Sequence, residues 1–185
     1  MTHSLTGITS FNRVTALLFY LRCRVADAWD MMDVSQHFLL SSDPIEPGVL
    51  AQGLQDSTAG AILTFEGRVR NHNSGREVVR LEYQVYATLA IAVGNAIVEE
   101  EMTRSGLVRA IAVQRVGGLE IGEIAVWVGA SSAHREQAFE AVKNIVERLK
   151  YELPIWKKET YSDNSTEWVG PDNKSVVTGR SSAES

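Results

Sequence analysis

Three short stretches concentrate the side chains able to do acid–base or anion chemistry. Leu149–Glu159, LKYELPIWKKE, holds three of the chain's five lysines, Lys150, Lys157 and Lys158, around Pro154-Ile155-Trp156. A lysine among other cations in a partly dry pocket gives up its proton more readily and can then serve as nucleophile or general base. Lys150 also falls in the last turn of a predicted helix, where a cation is favourable without any chemistry. Lys157 and Lys158 alternate on a predicted strand and so face opposite ways. One of the two should point toward whatever Trp156 does not, and Glu159 reads as a surface partner for a lysine.

The second stretch is FEGRVRNHNSGR, Phe65–Arg76. Arg68 and Arg70, two apart on a strand, should share a face, and His72 can join them where the strand frays. Neighbouring cations repel unless an anion or acid lies between them. A solvated strand face explains the periodicity equally well. The third stretch is SSAHRE, Ser131–Glu136, which sets His134 and Arg135 in the first turn of a helix. Cations there oppose the helix dipole, yet the free N–H groups of a helix start bind phosphate or carboxylate. Either an anion docks there, or Glu136 and a Ser132 cap offset the cost.

Other chemistries find no footing. G-x-G-x-x-G, G-x-x-x-x-G-K-[ST], H-E-x-x-H and G-x-S-x-G are all absent. The four histidines, His3, His37, His72 and His134, lack metal-ligand spacing, so neither a metal nor a cofactor is expected. Cys23 is the lone cysteine, which excludes an internal disulfide and fits a reducing, cytoplasmic setting. A net charge of −5 argues against general nucleic-acid binding but leaves room for a local cationic pocket.

The elements that must position these residues follow from periodicity. Phe38–Leu40 reads as a strand, with a short helix from Pro47 to about Gln55. Ala59–Arg70 and EVVRLEYQVY read as two strands of a hairpin with a longer loop. A helix over about 88–104 turns Leu89, Val93, Ile97 and Met102 inward and stops at Gly106. LVRAIAVQRV and EIAVWVGAS are two more strands, joined by the Gly-rich GGLEIGE. A helix capped by Ser132 runs from His134 to about Tyr151, burying Ala138, Val142, Ile145 and Leu149 with support from Phe139 and Val146, and Pro154 ends it. IWKKE and TEWV are short extended pieces. Paired strands separated by helices predict an α+β fold with a largely antiparallel sheet and two main helices.

At 185 residues the chain suits one domain with tails. Residues 1–33 carry no acid before Asp27 but have Arg13, Arg22 and Arg24, and read as an extension, disordered or not native, with Met31 and Met32 as plausible true starts. The domain spans 34–169, and 170–185 is a flexible polar tail. The most apolar run, Val14–Leu21, is eight residues long, against the roughly twenty a membrane helix needs, so no membrane partner is expected.

The segments AGAILTFEGRVRNHNSG, LEYQVYATLA, GGLEIGE, SSAHREQAFEA and LKYELPIWKKE, in this order, resemble the large, catalytic subunit of molybdopterin synthase, the MoaE family, over about Phe38–Val169. The resemblance implies an α/β-hammerhead fold and a homodimer. A small ubiquitin-like sulfur carrier (MoaD-like) docks at each end to make a heterotetramer. It further implies that the carrier's C-terminal Gly-Gly thiocarboxylate delivers sulfur to cyclic pyranopterin monophosphate, twice, to build the dithiolene of molybdopterin. By position, Lys150 and Lys157 resemble the family's catalytic lysines, Arg70, His134 and Arg135 its anion-binding and catalytic groups, and Phe65 its pocket aromatic; in that register Trp156 reads as a packed anchor and Lys158 as the bystander. Gln114 departs from the histidine of many relatives. The tail after Trp168 lacks an arginine that some relatives lend across the dimer, and Lys174 is the available substitute. The competing expectation is a non-catalytic module that binds a ubiquitin-like tail or another small anion.

Overall fold

A computed structural model of the chain describes residues 36–170. The expectations for residues 1–33, for Cys23 and for Lys174 in the tail lie outside the described residues. The elements run β1 (Phe38–Ser41), α1 (Pro47–Gln52), β2 (Ala61–Arg68), β3 (His72–Asn73), β4 (Arg76–Val85), α2 (Ala87–Ser105), β5 (Arg109–Arg115), β6 (Gly117–Glu120), β7 (Ile124–Ser132), α3 (Arg135–Glu152), β8 (Ile155–Tyr161) and β9 (Thr166–Val169).

The strands divide between two sheets. One has the order β1-β5-β7-β2, with β1 parallel to β5 and the other pairs antiparallel. The other has the order β3-β4-β8-β9, with β6 also paired to β4, and is wholly antiparallel. The fold is therefore α+β and mostly antiparallel, as the alternation of paired strands and helices predicts.

The main core lies between the first sheet and the two long helices. Val142, Ile145 and Leu149 of α3 and Ile97 and Val98 of α2 bury against Ala110, Ala112, Val128 and Ala130 of β5 and β7. The alanines leave room for the helices to settle close to the strands. Ile145 is fully buried, and removing such a side chain from water is worth about 1.5–3 kcal/mol. At Gly94 the approach of α2 to β1 is closest: a Cβ there would lie 2.2 Å from the Phe38 ring. The next residue, Asn95, uses its side-chain oxygen to accept the N–H groups of His37 and Phe38 at 2.8 and 2.9 Å, which pins β1 to the helix.

Four local expectations change. The Ala59–Tyr86 hairpin does not form, because β2 pairs with β7 while β4 pairs with β6 and β8. The chain crosses between sheets over residues 69–71, and only β3 folds back on β4, around Ser74-Gly75, both at positive φ. GGLEIGE is not merely a connector, since its first four residues form β6 on β4. Ser132 closes β7 rather than capping α3; its hydroxyl donates to the His134 carbonyl, and His134 itself is the extended residue before the helix. Leu89 and Phe139 are exposed, because the buried stripe of α2 is made of Ala90, Gly94, Ile97, Val98 and Glu101, and that of α3 of Ala138, Ala141, Val142, Ile145 and Leu149.

Candidate active site

A cavity of about 900 Å³ opens where the C-terminal end of α3 meets both sheets. Three segments far apart in sequence carry its cations. The first is the exit of β2. The β2–β7 register slips between Gly67 and Arg68, which ends the strand and turns the following residues. Arg68 is directed to Glu66 and the Gly122 carbonyl, while Arg70, beyond the strand, lines the cavity with Phe65 and Gly67. A Cβ on Gly67 would lie 2.6 Å from Val126, so this close passage of backbone over β7 requires glycine.

The second segment is the last turn of α3, where Leu149 faces the core and Lys150 the cavity. The Lys150 ammonium also lies 5.2 Å from the Tyr151 ring centroid. Pro154 cannot continue the helix, and the chain enters β8 one residue later. The third segment is β8 itself, where Lys157 lies opposite Tyr83 of β4 on one side and Val169 of β9 on the other. Tyr83, Trp156 and Trp168 complete an aromatic wall around these cations.

Lys157 is held by an unexpected partner. Glu159 is only 4% exposed, not a surface acid. One of its oxygens lies 3.2 Å from the Lys157 ammonium. The other accepts from Asn73 Nδ2 at 2.8 Å and from the Tyr161 hydroxyl at 3.0 Å. All three partners are donors, so the carboxylate is satisfied as an anion in a dry place. Burial pushes the Tyr161 phenol up to about 12, with the Glu159 contact adding to it. Burial, then the charge of Glu159, likewise carries Tyr83 to about 12. Both phenols therefore keep their protons at neutral pH.

The sequence-nominated residues separate into two places. Phe65, Arg70, Lys150 and Lys157 meet at the cavity. His134 and Arg135 are exposed at the opposite end of α3, about 22 Å from Lys150 by the 1.5 Å rise per residue. Arg76 is absorbed by Glu167, Ser165 and Asp163 and stacks 3.5 Å over the Tyr161 ring, while His72 is exposed beside Asn71. Trp156 is not a packed anchor: it is 53% exposed and lines the cavity. Sequence reasoning missed Tyr83, Trp168, Asn73 and the role of Glu159. The alternation of β8 placed Lys157 and Glu159 on one face, and that was the available signal. Among the described residues, no group of three or more His, Cys, Asp or Glu side chains could hold a metal ion.

The MoaE protein family matches residues 40–152. Molybdopterin synthase catalytic subunit 1 of Mycobacterium tuberculosis is 38% identical over 131 residues, which span 71% of this chain and 88% of that one. The crystal structure of molybdopterin synthase from Staphylococcus aureus superposes with a TM-score of 0.67 at 31% identity, covering 74% of this chain and 97% of that chain. A complex of subunits 1 and 2 of molybdopterin-converting factor from Helicobacter pylori shares the fold, with a TM-score of 0.58 at 20% identity over 70% of this chain and 87% of that one. Over the body that carries the cavity, this chain belongs to the MoaE family.

Proposed function

We propose that this chain is the catalytic large subunit of a molybdopterin synthase. It transfers sulfur from the C-terminal thiocarboxylate of a small ubiquitin-like carrier to cyclic pyranopterin monophosphate, forming the dithiolene of molybdopterin. One observation carries this reading: Arg70, Lys150 and Lys157, from three separate segments, converge on a single aromatic-walled cavity in an otherwise acidic protein. A cyclic phosphate and a thiocarboxylate are both anions, and such a pocket complements them without making the whole surface adhesive.

The chemistry sets the roles. Sulfur replaces an oxygen substituent on a side-chain carbon of the pterin substrate, whose C–O bond breaks with the oxygen leaving as water or staying with the phosphate. A water oxygen takes the sulfur's place on the carrier's terminal carbonyl, so the carrier leaves as a carboxylate. Protons must move at both centres. Lys150, exposed at the cavity rim, is the principal catalytic group, as acid–base or transient nucleophile. Lys157, fixed by buried Glu159, assists it. Arg70 holds phosphate or tail, and Phe65 walls the site. Because α3 keeps His134 and Arg135 far from Lys150 within one chain, they serve a cavity of the second copy in a homodimer. Two carriers on that dimer make the heterotetramer. A cytoplasmic location is part of this proposal, on the lone cysteine. Separately, no helix among the described residues is long and apolar enough to cross a membrane.

Incubation with thiocarboxylated carrier and the cyclic pterin tests the whole reading. Dithiolene product is expected, and Lys150→Ala should abolish it while carrier binding survives. Full activity in that variant removes Lys150 from its role. Complex formation without turnover by the unaltered protein would make it a tail-binding module instead.

A further inference from the structure

Gln114 lines the same cavity from β5, the strand between β1 and β7. It is 7% exposed, and its amide is fixed in orientation. The β5–β7 register ends at Gln114 opposite Val126. The Gln114 side-chain nitrogen donates to two backbone carbonyls at that end, Arg115 O and Ala125 O, each at 3.0 Å. Only the NH2 group can serve two acceptors, which settles which way the amide faces. Both of its hydrogens are then used. The Gln114 carbonyl oxygen accepts no hydrogen bond among the described residues, yet it is not one of the sealed, partnerless polar atoms. It therefore keeps some access to open space, and the open space that this residue lines is the cavity.

That oxygen stands apart from its surroundings. The charged groups around it, Arg70, Lys150 and Lys157, and the indole N–H groups of Trp156 and Trp168 are donors. Gln84 also lines the cavity but is exposed, with its amide tied only to Glu82. A fixed carbonyl oxygen repels phosphate and thiocarboxylate, and it is satisfied only by an N–H or O–H group. A flat heterocycle stacked on the aromatic wall would bring such groups to it along one edge.

We propose that Gln114 is a specificity-determining residue whose side-chain oxygen reads the N–H edge of the substrate's pterin ring, while the cations hold the phosphate. This rests on the pterin reading above and names the part of the substrate that each wall of the cavity selects. A site built to pair with an N–H group discriminates strongly against analogues that lack it, because its own oxygen is then left unpaired.

The test is direct binding, followed by quenching of tryptophan fluorescence, in the complex with the carrier subunit. Cyclic pyranopterin monophosphate is titrated anaerobically into the unaltered protein and into Gln114→Met, which keeps the length but not the oxygen. The variant should bind the pterin about 10-fold more weakly and the carrier within twofold. Pterin affinity within twofold of the unaltered protein overturns the proposal, and so does a loss confined to carrier binding, which would assign the oxygen to an amide of the carrier's tail. If Gln114→Met does not fold, the same comparison is made on the unaltered protein with a pterin lacking its exocyclic amino group and methylated at the ring N–H. About 10-fold weaker binding is expected, and equal binding overturns the proposal. An unaltered protein that binds the carrier but no pterin overturns the proposed function itself, a result distinct from any of these.

Discussion

Replacing Glu159 by glutamine tests the buried anchor behind Lys157. The substitution keeps the shape and removes the charge. In the native arrangement Glu159 meets three donors: the Lys157 ammonium, Asn73 Nδ2 and the Tyr161 hydroxyl. A glutamine has one oxygen to offer and a new NH2 group of its own. If the oxygen stays with Asn73 and Tyr161, the NH2 points at the Lys157 ammonium, donor against donor. A buried donor left unpaired costs about 1–3 kcal/mol, and breaking a buried ion pair by removing one partner costs about 3–5 kcal/mol. The Lys157 side chain is 20% exposed, so water relieves part of this, and a net loss of about 2–4 kcal/mol follows. For a body of this size that lowers Tm by about 6–12 °C. Thermal unfolding followed by circular dichroism at pH 7 reads it directly. Tyr161→Phe removes a single donor and should lower Tm by only about 3 °C. A Glu159→Gln protein melting within 2 °C of the unaltered one, under the roughly 6 °C floor expected, would show that the carboxylate is not held as described.

Two further outcomes follow from the packing and the phenols. Gly94→Ala puts a methyl 2.2 Å from the Phe38 ring and should cost about 1–3 kcal/mol in urea unfolding; a neutral result would mean that α2 does not press on β1 there. Tyr83 and Tyr161, two of the chain's five tyrosines, should ionise near 12 in a phenolate absorbance titration, and Tyr83→Phe should remove one late phase. Their phenol pKa is raised on folding, so the stability they contribute is complete below about pH 10 and is lost as pH rises through about 12. A single step near 10 for all the tyrosines would contradict this burial.

Much of the scaffold was legible because local signals agree with the tertiary outcome. The 3.6-residue stripe of Ala138, Val142, Ile145 and Leu149 is the buried face of α3, and Pro154 ends that helix where its backbone chemistry requires. The face of α2 was read wrongly at Leu89 because its inner contacts are small residues, Ala90 and Gly94, chosen by proximity to Phe38 and carrying little hydropathy. The hairpin failed for a different reason. Two alternating strands separated by a turn signal look the same whether they pair with each other or with strands more than thirty residues away.

The sequence by itself determined the residue types and the order in which they arrive: a lysine at a helix end, a proline break, a lysine-bearing strand, an arginine-rich strand exit, and the family to which that order belongs. Only the tertiary structure decided which of them share a cavity. Arg70 enters it while Arg68 does not, because of a register slip at Gly67. His134 and Lys150 are parted by the length of one rigid helix. Gln114, Tyr83 and Glu159 acquire their chemistry from partners on other strands. A side chain's direction at a bulge, and the partner that meets it across a sheet, are set by long-range pairing, and no local pattern encodes them.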